Sequence, residues 1–341
     1  MTTEVPHVSS LDPESLPLES LHKYWVDLTH DGFGRPVSVP VIVAVGSRPG
    51  PIFGLTAALH GNELNGIPVI HSLLERISLK TLTGTIIAVV VANPLSFERG
   101  IREFPDGTDL NHIMPGRESG KDSEVFVYRL VNRVIKHFDV LVDLHTASFG
   151  RVNSLYVRAD MTRMRTASMA YLQKPQIIVH NKPSDGTLRG EAEELGIPSI
   201  TVEIGDPHRF QSEYIKRSVA GLRRVLFHLG MLPTRKPIEA PQPIICASSK
   251  WLYADTGGLL EVTPRVYDIL EDAQPYATIR DAFGQITRLF ESPHRGIVIG
   301  KSVNPVARTG SRLIHLGHIA DDNSEKLVKR EEIVDSLAPN F

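Results

Sequence analysis

Several short stretches of the chain set imidazoles and carboxylates at the ends of apolar runs. His60-Gly61-Asn62-Glu63 follows the run 52–59, His145 follows 140–144, and Glu203 lies in Thr201-Val202-Glu203-Ile204-Gly205 at the end of 198–204. Thr108-Asp109-Leu110-Asn111-His112 falls between the first two, in a loop rich in polar and turn residues. Two imidazoles and one carboxylate, from His60, His145 and Glu63, supply three neutral or anionic ligands and leave a fourth tetrahedral position for water. That is the composition of a hydrolytic zinc site, in which the bound water loses a proton near neutral pH. Such chemistry also needs a carboxylate to relay protons, and Glu203 is the candidate general base. Cys246 is the single cysteine, which excludes a multi-cysteine zinc site and an intramolecular disulfide framework. Any metal must be held by His, Asp and Glu.

Each of these residues has a plainer reading. Glu63 can sit at a helix N-terminus for its electrostatics alone. His145 can be a hydrogen-bonded interior histidine. Asp109-Leu110-Asn111 can be a turn closed by Asx side chains, with His112 capping it. Glu203 is the hardest to dismiss, because an unpaired carboxylate closing an apolar strand costs several kcal/mol. The joint pattern is far more specific than any of its parts.

The elements that must position these groups alternate. Stretches 41–45, 52–59, 84–91, 140–144, 154–157 and 198–204 are short, β-branched and apolar, as buried strands are. Stretches 64–77, 123–138, 163–172, 187–195 and 214–229 carry helical spacing. This alternation predicts an α/β fold with a mixed sheet flanked by helices, and open sheets of that kind bind ligands beyond the carboxyl ends of their strands. Pro233, Pro237, Pro241 and Pro243 then forbid a helix and favour an extended connector. A domain boundary is expected there, giving an α/β domain over 1–235 and an accessory domain over 243–330. The latter reads as brief strands punctuated by glycine, an all-β barrel or sandwich.

Composition bounds the partners. With 341 residues the chain is long enough for about two domains at roughly 100–200 residues each. Lys+Arg 37 against Asp+Glu 39 gives a net charge of −2, so no basic excess points to nucleic acid or an anionic membrane surface. The N-terminus lacks a basic stretch followed by an apolar core, and no window approaches the ~18 uninterrupted apolar residues of a membrane span. A cytoplasmic protein acting on a small molecule is expected, with a homo-oligomer left open.

The stretch Ala57-Ala58-Leu59-His60-Gly61-Asn62-Glu63 resembles the succinylglutamate desuccinylase/aspartoacylase family, relatives of the zinc carboxypeptidases. Asn93-Pro94, Arg102, Asp109-Leu110-Asn111, Pro115-Gly116, Asp143-Leu144-His145-Thr146 and Glu203-Ile204-Gly205 follow in that family's order, over about residues 40–230. The resemblance implies one zinc ion held by His60, Glu63 and His145, with Glu203 moving the proton from water to the leaving amine. It implies that Arg102 steadies the oxyanion, that Asp109 accepts a hydrogen bond from His60, and that Asn111 touches a substrate carboxylate.

There is one departure: the family usually reads Asp-Leu-Asn-Arg, and here the fourth residue is His112. Arginine would grip a carboxylate bidentately at any working pH, whereas histidine offers at most one donor in that direction and is about half neutral near pH 6.5. Either another cation compensates, with Arg158, Arg163 and Arg165 as candidates and Arg163 the one assigned, or the substrate presents something less acidic. Three readings follow: a deacylase of N-acyl amino acids or small N-acyl amines, a carboxypeptidase or esterase using the same site, and a ligand-binding relative without catalysis. The C-terminal stretch 291–310 also resembles half of a biotinyl/lipoyl carrier domain. No lysine lies between Trp251 and Gly300, so the residue such a carrier needs is missing. A segment that shapes the active-site entrance, or an oligomer contact, fits better.

Overall fold

The computed structural model describes residues 4–183, 186–233, 242–320, 327–328 and 331–333. The connector expected over 235–243 lies, except for its last two residues, outside the described residues.

The longer strands are β1 (Ser20–His30), β2 (Pro36–Val45), β3 (Arg48–Ala57), β4 (Thr83–Val89), β5 (Val140–His145), β6 (Leu155–Ala159), β7 (Ile177–His180) and β8 (Ser199–Ile204). After the connector come β9 (Ile244–Tyr253), β10 (Gly258–Val262), β11 (Pro275–Arg280), β12 (Ile286–Glu291), β13 (Gly296–Ser302) and β14 (Arg312–Ile319). The helices are α1 (Gly66–Glu75), α2 (Pro94–Arg99), α3 (Asp122–Arg133), α4 (Met164–Gln173), α5 (Leu188–Glu194) and α6 (Ser212–His228).

One mixed sheet runs through the molecule in the order β1-β2-β4-β3-β5-β8-β6-β7-β9-β14-β13. Its centre, β4-β3-β5-β8, is parallel. The apolar runs of these strands have a physical reason, because both faces are covered. Val140, Val142 and Leu144 enter a core with α1, α4 and α6, while Leu141 joins Phe126, Leu130 and Leu188 of α3 and α5 on the other side. The mixed α/β fold expected from the alternation is present.

The C-terminal strands do not stand apart from this sheet. β9 pairs in parallel with β7, and β14 and β13 continue the same hydrogen-bonded array. β10, β11 and β12 form a separate small sheet whose Leu260, Ile279 and Phe290 share a core with Val298, Leu313 and Leu316. Among the described residues, no helix is long and apolar enough to cross a membrane.

Some boundaries moved for local reasons. The strand expected over 52–59 ends at Ala57, because Ala58 takes a left-handed conformation, φ 52°, and turns the chain out of the sheet before His60. The helix expected over 123–138 is α3 followed by a separate 3-10 turn at Ile135–His137. β1 and β7 carry no expectation from the sequence.

Candidate active site

The register of the central strands assembles the site. Glu203 on β8 stands beside His145 on β5, and beside Tyr156 on β6 at its other flank. Side chains at equal register share a face of the sheet, so His145, Glu203 and Tyr156 form one row across three strands. Two residues back, Asp143, Thr201 and Arg158 form the row beneath, with Thr56 of β3 opposite Asp143.

His60 and Glu63 arrive on the turn after β3. Gly61 is obligatory in that turn, since a Cβ there would lie 2.0 Å from the Ser96 backbone at the start of α2. Asn93 caps α2 by accepting from the Ser96 amide at 3.2 Å, and its own Nδ2 donates to the Leu59 carbonyl at 3.2 Å. Pro94 suits the first helical position. Gly100, left-handed at φ 60°, ends the helix and delivers Arg102.

His60 Nδ1 lies 2.9 Å from Glu63 Oε1, and His145 Nδ1 lies 2.9 Å from Glu63 Oε2. The two rings are 5.0 Å apart, and all three residues are buried. The far nitrogens are engaged by carboxylates: His60 Nε2 with Asp109 Oδ1 at 3.0 Å, and His145 Nε2 with Asp143 Oδ2 at 2.6 Å. Asp143 is held in turn by the Thr56 hydroxyl at 2.6 Å. When Nε2 carries the proton donated to each aspartate, the Nδ1 lone pairs both face the Glu63 carboxylate. Lone pairs and an anion at hydrogen-bond distance repel unless a proton or cation sits between them. The arrangement therefore fits a cation held by His60, Glu63 and His145, and a nitrogen–nitrogen–oxygen donor set suits zinc.

With no cation in place, protons on the imidazoles take that role. Burial opposes ionisation of Glu63, but the charge of His60 and the hydrogen bond from His145 outweigh it and hold the carboxyl well below its ordinary value. Burial likewise opposes protonation of His145, and Asp143 overrides it and raises the imidazole well above its usual range. Burial also acts against the Asp109 anion, yet the bond to His60 and the charges of His60 and Arg102 keep that carboxyl far below its usual range.

Arg102 spans the cluster. Its Nε and Nη2 donate to Asp109 Oδ2 at 2.9 and 2.8 Å, while Nη1 reaches Glu63 Oε1 at 3.1 Å and Ser148 Oγ at 3.2 Å. Glu203 accepts from Asn153 Nδ2 at 3.3 Å and lies 3.5 Å from Arg158 Nε. Asn111 uses its carbonyl oxygen on the Leu188 amide at 2.8 Å, which ties the start of α5 to this loop. His112 stands 3.6 Å from Asp109 and is largely exposed.

The arginines offered as substitutes for an arginine at 112 separate cleanly. Arg158 is beside Glu203. Arg163 is not a member of this cluster: it pairs with Asp160 at 3.6 Å and with Glu193 of α5. β6 runs antiparallel to β8, so the chain beyond Ala159 emerges at the opposite end of the sheet from Glu203. That corrects the expectation that Arg163 binds substrate. Arg165 is equally remote, lining a groove with Gly50, Pro51 and Asp139 at the amino ends of β3 and β5.

Sequence reasoning quoted Asp143 in Asp143-Leu144-His145-Thr146 without giving it a role, and passed over Ser148, Asn153 and Tyr156. Asp143 was legible from its spacing, because a residue two before a candidate ligand on a strand shares its face. Asn65 was also missed; it donates to the Ile204 carbonyl at 2.7 Å and so fixes the turn after Glu203 against the His60 turn.

Residues 49–229 match the model of the succinylglutamate desuccinylase/aspartoacylase catalytic domain. An N-alpha-acetyl-L-2,4-diaminobutyric acid deacetylase of Halomonas elongata is 25% identical over 258 residues, 72% of this chain and 75% of the relative. A succinylglutamate desuccinylase of Pseudomonas aeruginosa is 25% identical over 176 residues, 46% of this chain and about half (51%) of that protein's length. In fold, the chain is similar to the product-bound ectoine utilization protein EutE (DoeB) of Ruegeria pomeroyi, with TM-score 0.79, 21% identity, and 89% and 98% of the two chains covered. It is similar to the same degree to a succinylglutamate desuccinylase/aspartoacylase of Rhodobacter sphaeroides, with TM-score 0.79, 21% identity, and coverage of 91% and 98%.

Proposed function

The chain belongs to the succinylglutamate desuccinylase/aspartoacylase family, and from that premise we propose that it is a zinc-dependent hydrolase cleaving the amide bond of an N-acyl amino acid. The observation that carries the reading is the convergence of His60 Nδ1 and His145 Nδ1 on Glu63, each ring backed by its own aspartate, with Glu203 one strand away. The matched deacetylase and desuccinylase both remove acyl groups from amino acids by name, which supports the substrate class.

A zinc ion held by His60, Glu63 and His145 would supply Lewis acidity toward the scissile carbonyl and toward water. The chain's own groups do the rest. Glu203 takes a proton from the attacking water and returns it to the nitrogen as the carbon–nitrogen bond breaks, giving a carboxylic acid and a free amine. Arg102, fixed by Asp109, presents Nη1 to the negative charge that develops on the carbonyl oxygen. Because Asp109 engages both His60 and Arg102, one carboxylate orients a metal ligand and the oxyanion donor together.

The test is metal content and turnover on purified, zinc-loaded protein. About one zinc per chain is expected, with hydrolysis of N-acetyl or N-succinyl amino acids in preference to peptides and simple esters. Glu203→Gln should keep the zinc and lose about 10²- to 10⁴-fold in kcat. Absence of stoichiometric zinc, or full activity in Glu203→Gln, would overturn the mechanism.

A further inference from the structure

The row His145-Glu203-Tyr156 continues into side chains from beyond the connector. The Tyr156 hydroxyl accepts from Arg158 Nη2 at 2.8 Å and faces Glu203. Its ring meets the edge of His315 on β14 at 6.1 Å. His315 stacks on Trp251 of β9, its register partner, at 5.1 Å with the planes 12° apart. Two guanidinium groups then lie over the Trp251 ring, Arg151 at 5.7 Å and Arg312 at 5.4 Å.

Arg151 is anchored toward the site. It opens the short strand Arg151–Asn153, which pairs with β13, and Asn153 at its other end donates to Glu203. Residues two apart in a strand share a face, so Arg151 looks the same way as the residue that holds the general base. Among the described residues neither Arg151 nor Arg312 has a carboxylate partner or a side-chain hydrogen bond. Burial, Arg312 and Arg102 together push the Arg151 guanidinium down from its ordinary value, against the more distant pull of Glu63 and Glu203. Arg158, by contrast, is already engaged by Tyr156 and Glu203.

We propose that Arg151 and Arg312, framing Trp251, form an anion subsite that receives a carboxylate of the substrate, in place of the arginine that position 112 lacks. This rests on the deacylase reading and names the recognition element of the same site. The indole, stacked on His315, holds the two guanidinium groups together, and Arg312 makes the subsite a joint product of the two halves of the chain.

The experiment uses zinc-loaded full-length protein, wild type, Arg312→Ala, Arg312→Lys and Arg151→Met, with retained zinc and unchanged circular dichroism as the folding controls. Three probes separate the sources of the carboxylate. Nα-acetyl-L-2,4-diaminobutyrate carries it only on the amine half, N-succinyl-butylamine only on the acyl half, and Nα-acetyl-L-2,4-diaminobutyramide has none. Affinity is read both as KM and, without turnover, as quenching of tryptophan emission.

For one of the two charged probes, Arg312→Ala and Arg151→Met should each weaken KM and binding by about tenfold or more, the scale of one charge-assisted hydrogen bond. kcat should stay within a few-fold, the uncharged amide should be unaffected, and Arg312→Lys should recover part of the loss. Equal losses on charged and uncharged probes, no loss on any, or no binding of either charged probe would overturn the subsite. Binding that depends on Arg151 and Arg312 without turnover of any probe would uphold the subsite and remove the deacylase reading. Turnover with unchanged affinities would do the reverse.

Discussion

Single side chains in this site carry two duties, and substitutions can separate them. Asp143 never reaches the cation position, yet it sets which nitrogen of His145 bears the proton. Asp143→Asn is expected to lower zinc affinity by about ten- to a hundredfold with little change in fold, read by competition with a chelator. His315 is a different case. It is buried, bonds Ser249 Oγ at 2.8 Å, and burial beside Arg158, Arg312 and Arg151 holds its pKa well below the ordinary value. The unfolded chain therefore binds a proton that the folded one refuses. Stability is complete above about pH 6.5 and falls as the pH drops below it, by up to ~1.4 kcal/mol per unit. Urea unfolding at pH 7.5 and pH 5 should show that loss, and His315→Gln should flatten it. At this scale the sequence was most legible where a residue type is demanding. His60, Glu63, His145, Glu203 and Arg102 stand together as the resemblance implied, whereas Arg163 satisfied the requirement for a cation in type but not in place. The direction of β6, which puts Arg163 at the far end of the sheet, is not written in local spacing.

At the scale of elements, the turns do as much as the strands. Helix α2 is only six residues long, and its position depends on Asn93 at one end and on the bare Cα of Gly61 against its first turn. Gly61→Ala should cost about 1–3 kcal/mol, visible as a lower Tm, and it should also reduce kcat because displacement of α2 is passed on to Arg102. A substitution that lowered Tm but left kcat untouched would show that Arg102 is held from the Asp109 side alone. The long apolar strands and amphipathic helices were readable because burial on both faces, or on one stripe, leaves its period in the sequence. β7 was not, since four buried residues between two parallel neighbours carry too short a pattern to separate from a buried loop. β1 was missed for another reason: its outer half is exposed, so apolar and polar residues mix without a clean alternation.

For the whole molecule, the decisive fact is that the sheet carrying the candidate site does not end at that site's last strand. β9 covers the edge of β7, and Cys246, Ile297 and Ile299 pack on Tyr156, Ile177 and Val179. A chain truncated after residue 232 keeps every candidate zinc ligand and Glu203. It is nonetheless expected to aggregate, because it exposes a strand edge that is paired in the full chain, together with the apolar cluster beneath it. Size-exclusion chromatography of the truncated chain checks this, and a monomeric, zinc-binding fragment would count against it. The sequence showed a change of pattern near the proline cluster. It did not show that the two patterns share one sheet, because strand pairing over such separations leaves no local trace.

The pairing of β9 with β14 shifts register between Leu252 and Tyr253, so that Trp251 faces His315 while Tyr253 meets Arg312. Such a shift re-phases a strand that otherwise alternates strictly, and this accounts for Arg312 and His315, an odd number of residues apart, both reaching the same indole. Selectivity in this protein is thus stored as a count as well as an alphabet. Removing Leu313 would leave every amino acid of the subsite in the chain and turn Arg312 away from the indole.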